Sequence, residues 1–185
     1  MTVVLLYGQE NLVPFDTSQA LRLRLLDGPL RLAWRHSAIT SDFIAETIAL
    51  SFRSSERHYK TIRHDIGYLT NELIENAIKF RAPGEIIIEA LTDAHNFKMR
   101  IENFVDDNTM ARFQELLSKV TVGDPGELLI EQIEASALAG GNASGLGLLT
   151  LMSDYQVHLA WRFEEDRPRK RTRLETYATM AIALS

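Results

Sequence analysis

The stretch Glu72-Leu73-Ile74-Glu75-Asn76-Ala77-Ile78-Lys79-Phe80 combines an apolar helical repeat with polar groups along one edge. On an α-helix, Glu72, Asn76 and Lys79 fall within an arc of about 60°, because residues three and four positions apart are neighbours. That arc borders the apolar stripe of the same helix. The sequence therefore predicts a helix with a carboxylate, an amide and an ammonium group at the rim of a core.

The chemistry of this edge suits a metal-bound phosphate. The amide oxygen of Asn76 is an appropriate ligand for Mg²⁺, which prefers oxygen donors and keeps several waters. Glu72 could orient a water or a substrate hydroxyl as a general base, and Lys79 could meet phosphate charge. The alternative is a solvated helix edge on which Glu75 and Lys79 form an ion pair worth a few tenths of a kcal/mol.

A second stretch, Ser144-Gly145-Leu146-Gly147-Leu148, is a glycine-rich turn that runs into an apolar segment. Glycine permits positive φ and close backbone approach. The free N–H groups of a helix start favour an anion. This pattern predicts a phosphate-binding turn, and the alternative is a flexible loop with a glycine that serves helix packing.

The first part of the chain predicts strands. Val3–Tyr7 is a short apolar run. Leu21–Leu25 alternates leucine with arginine, and Leu30–Arg35 alternates apolar with polar residues. This period is typical of half-buried strands, and we expect the last two segments to pair as a hairpin. We assign residues 1–28 to an N-terminal extension that contacts a partner or a second copy, and residues 29–185 to the main domain.

The remaining periodicities predict runs of helices and pairs of strands. A helix capped within Thr40–Asp42 would bury Ile44, Ile48 and Phe52. The next helix, Glu56–Phe80, would bury Ile62, Ile66, Leu69, Leu73, Ala77 and Phe80. After it we expect strands over 85–91 and 97–104, helices over 109–120, 127–138 and 146–154, and strands over 156–164 and 171–183. This order predicts an α+β two-layer sandwich with helices on one face of a mixed sheet.

Composition restricts the functional classes. The chain has 185 residues, 45% of them hydrophobic, a net charge of -5 and no cysteine. An acidic chain is a poor general binder of nucleic acid, and the lack of cysteine excludes disulfides and thiolate metal sites. With no long apolar run, we expect a cytoplasmic protein without a membrane span.

Taken together, these segments resemble the GHKL superfamily of ATPases and kinases, which have the Bergerat fold. Glu72-x-x-x-Asn76-Ala77-x-Lys79-Phe80 is similar to the family's N-box, and Ser144-Gly145-Leu146-Gly147-Leu148 to its G2-box. The resemblance implies that ATP and Mg²⁺ are bound. Asn76 would hold the metal, Glu72 would be the catalytic carboxylate, Lys79 would approach phosphate, and residues 144–148 would cap the triphosphate.

The chain departs from the family at the base-binding motif. The family has Asp-x-Gly-x-Gly after the second strand of the central pair, and this chain has Asn103-Phe104-Val105-Asp106-Asp107. The amide oxygen of Asn103 could accept a hydrogen bond from the adenine amino group, without the charge assistance of a carboxylate.

As a stand-alone domain, the chain is most similar to the anti-sigma type of serine/threonine kinase. That branch implies phosphorylation of a regulatory partner that is STAS-like or sigma-factor-like, with no nucleic acid involved, and a homodimer is one assembly consistent with it. The alternative is a catalytically inactive module that kept the fold and binds a partner by surface contact.

Overall fold

The structure, a computed structural model, describes residues 4–26, 32–93, 95–139, 145–166 and 171–182. These residues form one sheet and a layer of helices. The strands and α-helices, in chain order, are β1 Val4–Gly8, β2 Leu21–Leu26, α1 Trp34–Ala49, α2 Glu56–Lys79, β3 Glu85–Thr92, β4 Asn96–Val105, α3 Asp107–Val120, α4 Pro125–Ala139, α5 Leu146–Ser153, β5 His158–Asp166 and β6 Arg171–Ala181.

The sheet has six strands in the order β1-β5-β6-β4-β3-β2, and each neighbouring pair is antiparallel. The predicted α+β sandwich with a helical layer is confirmed. The expectation of a mixed sheet is wrong, since the described strands contain no parallel pair. Strands β3 and β4 are joined by a turn too short for the crossover that a parallel pair requires.

Strands β1 and β2 occupy the two edges of this sheet. Strand β2 pairs with β3, with Leu23 opposite Ile88, so the predicted hairpin between 21–25 and 30–35 is wrong. Residues 9–20 connect the two edges, and Phe15 packs against Tyr177 of β6 with ring centroids 6.4 Å apart. The division of the chain at residue 28 and the dimer contact stay predictions.

Helix α1 begins earlier than its predicted cap. Ala33 is extended, and its backbone N–H donates to His36 Nδ1 at 2.9 Å, which closes the helix start at Trp34. Ser41 lies inside the helix, where its Oγ donates to the Ala38 carbonyl at 3.0 Å instead of capping. The predicted stripe is otherwise confirmed, since Ile44 and Ile48 are buried. Phe52 is half-buried against the core.

Helix α2 has the predicted start, with the Ser55 side chain accepting from the His58 N–H at 3.4 Å. It ends at Lys79, and Phe80 is the C-cap residue. Phe80 is 39% exposed, so its assignment to the buried face is wrong. The other predicted core residues of this helix are buried: Ile62, Ile66, Leu69, Leu73 and Ala77.

The sheet has two unlike faces because side chains alternate along each strand. On β4, Phe97, Met99 and Ile101 join the core beneath the helices. Arg100 and Glu102, which alternate with these residues along β4, lie on the other side, which we call the open face. The covered face therefore supplies the apolar core, and the open face carries charged side chains.

Candidate functional site

A cavity of about 670 Å³ lies on the covered face of the sheet, bounded by α2, α3, α5 and the strands β4 and β6. Its walls come from segments that are far apart in the chain. The lining includes these candidate residues: Glu72, Asn76, Lys79, Asn103, Gly145, Leu146, Gly147 and Leu148. Ser144 lies outside the described residues.

The polar edge of α2 forms one wall. Glu72 is half-buried, and its pKa is raised by burial and then by the negative charge of Glu75. No ion pair joins Glu75 to Lys79 within the part of the chain that the structure describes. The Lys79 Nζ lies 5.1 Å from the centroid of the Phe80 ring. The ion-paired helix edge, which was the alternative from the sequence, is therefore not formed.

The start of α5 forms the adjoining wall. Gly145 precedes the helix with φ of +93°, a left-handed conformation that favours glycine, and its carbonyl accepts from the Leu149 N–H at 3.1 Å. At Gly147, an added Cβ would overlap the Glu72 carboxylate. The Glu72 side chain therefore lies directly against the first turn of α5, and the absence of a side chain at Gly147 makes this contact feasible.

Asn103 lies at the base of the cavity. It is 2% exposed, and its Nδ2 donates to the Phe104 carbonyl at 3.4 Å. Thr176, Leu174 and Trp161 line the same region. Asn103 is thus a buried amide in largely apolar surroundings, with the hydroxyl-bearing Thr176 among its neighbours in the cavity.

Sequence reasoning missed six polar residues that line the cavity: Thr109, Arg112, Glu115, Lys119, Gln132 and Thr176. Thr176 reaches the cavity because β6 pairs with β4, where it stands opposite Ile101. The positions of Arg112 and Lys119, two turns apart on α3, are the signal that could have indicated one cationic helix face. Lys119 also pairs with Glu115, with Nζ 3.0 Å from Oε1.

The lining is close to electrically balanced. Among the described residues, its cations are Lys79, Arg112 and Lys119, and its anions are Glu72, Glu75 and Glu115. Across the described ranges, no group of three or more histidine, aspartate and glutamate side chains could hold a metal ion. A metal at Asn76 would therefore need oxygen ligands from a bound phosphate and from water.

Comparisons with known proteins give a likeness of fold. No protein-family profile matches the chain, and no curated protein matches it. Its fold is similar to that of a chain in the crystal structure of the SiaB-SiaC complex from Pseudomonas aeruginosa, with a TM-score of 0.58 and 11% identity, over 86% of this chain and 89% of that chain. Among the described helices, none combines the length and apolar character needed to cross a membrane.

Proposed function

We propose that this protein is a signalling protein of the GHKL type, which binds Mg-ATP in the cavity and phosphorylates a serine or threonine of a regulatory partner. One observation carries the proposal. Residues from three separate segments, 72–79, 103 and 145–148, line a single cavity. Independent surface features would not be expected to meet in this way.

The cavity is compatible with a nucleotide, since ligand pockets range from about 300 to 1,000 Å³ and this one is about 670 Å³. Asn76 would hold Mg²⁺ by its amide oxygen. When bound, the metal would neutralise part of the phosphate charge. The N-terminal N–H groups of α5 and the Lys79 ammonium would face the phosphates, and the buried amide of Asn103 would hydrogen-bond the base.

Glu72 has the properties of a proton acceptor. Its pKa is raised by burial and by the charge of Glu75. This shift brings the pKa of the carboxylate closer to neutral pH, where a general base is most effective. It would accept the proton of the partner hydroxyl at its carboxylate. Its contact with Gly147 would keep that carboxylate at the phosphate wall.

The partner is part of the proposal on chemical and structural grounds. STAS-like or sigma-factor-like regulators are the candidate partners that the GHKL resemblance suggests. The fold neighbour comes from a complex of two proteins. This supports an interaction role for the fold.

A second candidate is a partner-binding module that has lost nucleotide binding. Two observations favour it. The charges that line the cavity are balanced instead of positive. The Glu72 carboxylate also lies against the α5 start, where a phosphate would be bound.

Calorimetric titration with Mg-ATP separates the two candidates. We expect saturable binding that weakens about tenfold or more in Asn76→Ala, because the metal ligand is lost. Asn108→Ala, an exposed asparagine on α3 outside the cavity, is the matched control and should bind like the wild type. An absence of heat at millimolar Mg-ATP would contradict the kinase proposal and support the binding module.

A further inference from the structure

We propose that helix α4, with the turn before it, is a docking surface for a protein segment that presents apolar side chains surrounded by lysine or arginine. The surface consists of Val122, Glu127, Ile130, Glu131, Ile133 and Glu134. This inference rests on the partner-binding part of the proposed function and does not require nucleotide.

Exposure is the first observation. Val122, Ile130 and Ile133 are 85%, 60% and 52% exposed. None of the described side chains of α4, residues 125–135, is buried. Helix α4 packs against α5 and leaves its outer side in water. Large exposed aliphatic side chains grouped on one helix are typical of interaction sites.

Charge is the second observation, and it defines the occupant. Residues 120–157 contain five acidic residues, Asp124, Glu127, Glu131, Glu134 and Asp154, and no lysine, arginine or histidine. The carboxylates of Glu127, Glu131 and Glu134 form no ion pair with any described residue. An apolar face bordered by uncompensated carboxylates is complementary to a basic amphipathic segment.

A second exposed apolar stripe, on α1, lacks this property. Ile39 and Phe43 are 71% and 51% exposed. The neighbouring carboxylates of Asp42 and Glu46 are both compensated by Arg63, with N–O distances of 3.9 and 2.6 Å. The α1 stripe therefore gives no indication of the charge of a partner, whereas α4 does.

The position of α4 relates the surface to the cavity. Gln132, on the inner side of α4, lines the cavity, and α5, against which α4 packs, begins with the Gly145 turn. A segment bound on the outer side of α4 would lie close to the mouth of the candidate site.

The test uses a defined probe, a fluorescein-labelled helical peptide of leucine and lysine, titrated with the full chain without nucleotide. A peptide with glutamate in place of each lysine is its counterpart. We expect saturable anisotropy change with the basic peptide only. Ile130→Ser/Ile133→Ser and, separately, Glu127→Gln/Glu131→Gln/Glu134→Gln should each weaken binding about tenfold or more.

Matched controls remove equal hydrophobicity or charge elsewhere. Ile39→Ser/Phe43→Ser on α1, and the exposed triple change Glu10→Gln/Glu56→Gln/Asp107→Asn, should each leave binding within about twofold of the wild type, since these residues lie on elements other than α4 and the turn before it. Circular dichroism verifies that each variant is folded.

Several results would overturn the inference: no binding of the basic peptide, equal binding of the acidic peptide, or equal losses in the controls. A dimer in sedimentation equilibrium that Ile130→Ser/Ile133→Ser dissociates would also overturn it, because the occupant would then be a second copy. Failure here is distinguishable from failure of the proposed function, which is read from Mg-ATP titration.

Discussion

The two faces of the sheet differ in whether their charged side chains form ion pairs. On the open face, Arg100 forms ion pairs with Glu89, Glu102 and Glu175, each with an N–O distance of 2.6 Å. Glu175 also forms an ion pair with Arg162, with an N–O distance of 2.7 Å. In the cavity on the covered face, Glu72 and Glu75 have no ion-pair partner among the described residues. The cavity thus contains carboxylates that form no ion pair with a described residue.

The open-face cluster, defined as Arg100, Arg162, Glu89, Glu175 and Tyr177, is tightly coupled. The Glu175 side chain is only 5% exposed. Burial alone would raise its pKa, but hydrogen bonds from Arg100 and Arg162 outweigh burial and lower it. Burial and the charge of Glu175 raise the pKa of Tyr177 to about 12.

This difference distinguishes charged groups that stabilise the fold from charged groups that could bind a ligand. Groups that are fully paired stabilise the sheet and leave no capacity for a ligand. Buried or half-buried groups without partners reduce stability, and they persist where a ligand supplies the missing interaction. On this reasoning the cavity, and not the charge-rich open face, is the candidate site.

The largest effect should come from Arg100→Met on the open face. It leaves the nearly buried Glu89 and Glu175 without their shared cation, and we expect a loss of about 3 kcal/mol in the free energy of unfolding. Arg22→Met is the matched control: its Nε also faces Glu89, at 3.6 Å, but its side chain is 62% exposed. Arg22→Met should lower the free energy of unfolding by less than about 0.5 kcal/mol. Equal losses in urea denaturation would contradict the proposed role of burial.

An intermediate effect should come from the contact between Gly147 and Glu72. Gly147→Ala places a methyl group against the Glu72 carboxylate and should destabilise the wild type by about 1 kcal/mol. In a Glu72→Ala background the same change should be stabilising by up to about 1 kcal/mol, because alanine favours helix.

The double-mutant cycle should therefore give a coupling of about 1 to 2 kcal/mol. Gly67→Ala in α2 is the control, since its Cβ would meet Ala45 at an ordinary 3.7 Å. It should show no coupling to Glu72, and a cycle without coupling at Gly147 would refute the contact.

The smallest effect should come from Glu72→Gln, which we expect to raise Tm by about 2 °C at neutral pH. The pKa of Glu72 is raised above its ordinary value of 4.5, so the folded state favours the protonated form. The gain of the variant over the wild type should be absent below pH 4.5 and should grow as pH rises through the raised pKa.

Thermal unfolding across pH, with Glu115→Gln as a control, measures this effect. Glu115 also lines the cavity, but it pairs with Lys119. A loss of stability in Glu72→Gln at neutral pH would show that the carboxylate stabilises the fold. It would contradict the idea that this group has no partner until a ligand binds.

Much of the fold was predictable because its signals are local. The apolar repeat of α2, the alternation of β4 and the Gly145 turn are each expressed within a few residues. Their element types and approximate bounds are confirmed, and their candidate residues line one cavity. The functional roles of those residues stay predictions.

The errors have a common physical origin. Residues 30–35 alternate like a strand, but Trp34 begins α1 because His36 satisfies the Ala33 N–H, an interaction that the alternation does not reveal. Thr176 and the open-face cluster were not predicted. They depend on the order of the strands in the sheet and on the register in which neighbouring strands pair. The sequence of a single strand does not identify its neighbour or this register.

The sequence by itself determined the helical edge of Glu72, Asn76 and Lys79, the glycine turn, the acidic character of residues 120–157 and the alternation of the strands. Those features follow from spacing and composition, which are local. Only the tertiary structure decided that the edge and the turn meet in the lining of one cavity, that Asn103 and Thr176 share this lining, and that the strand charges pair on the opposite face of the sheet. Such contacts join residues far apart in the chain, and they exist only once long-range packing has brought the strands and helices together.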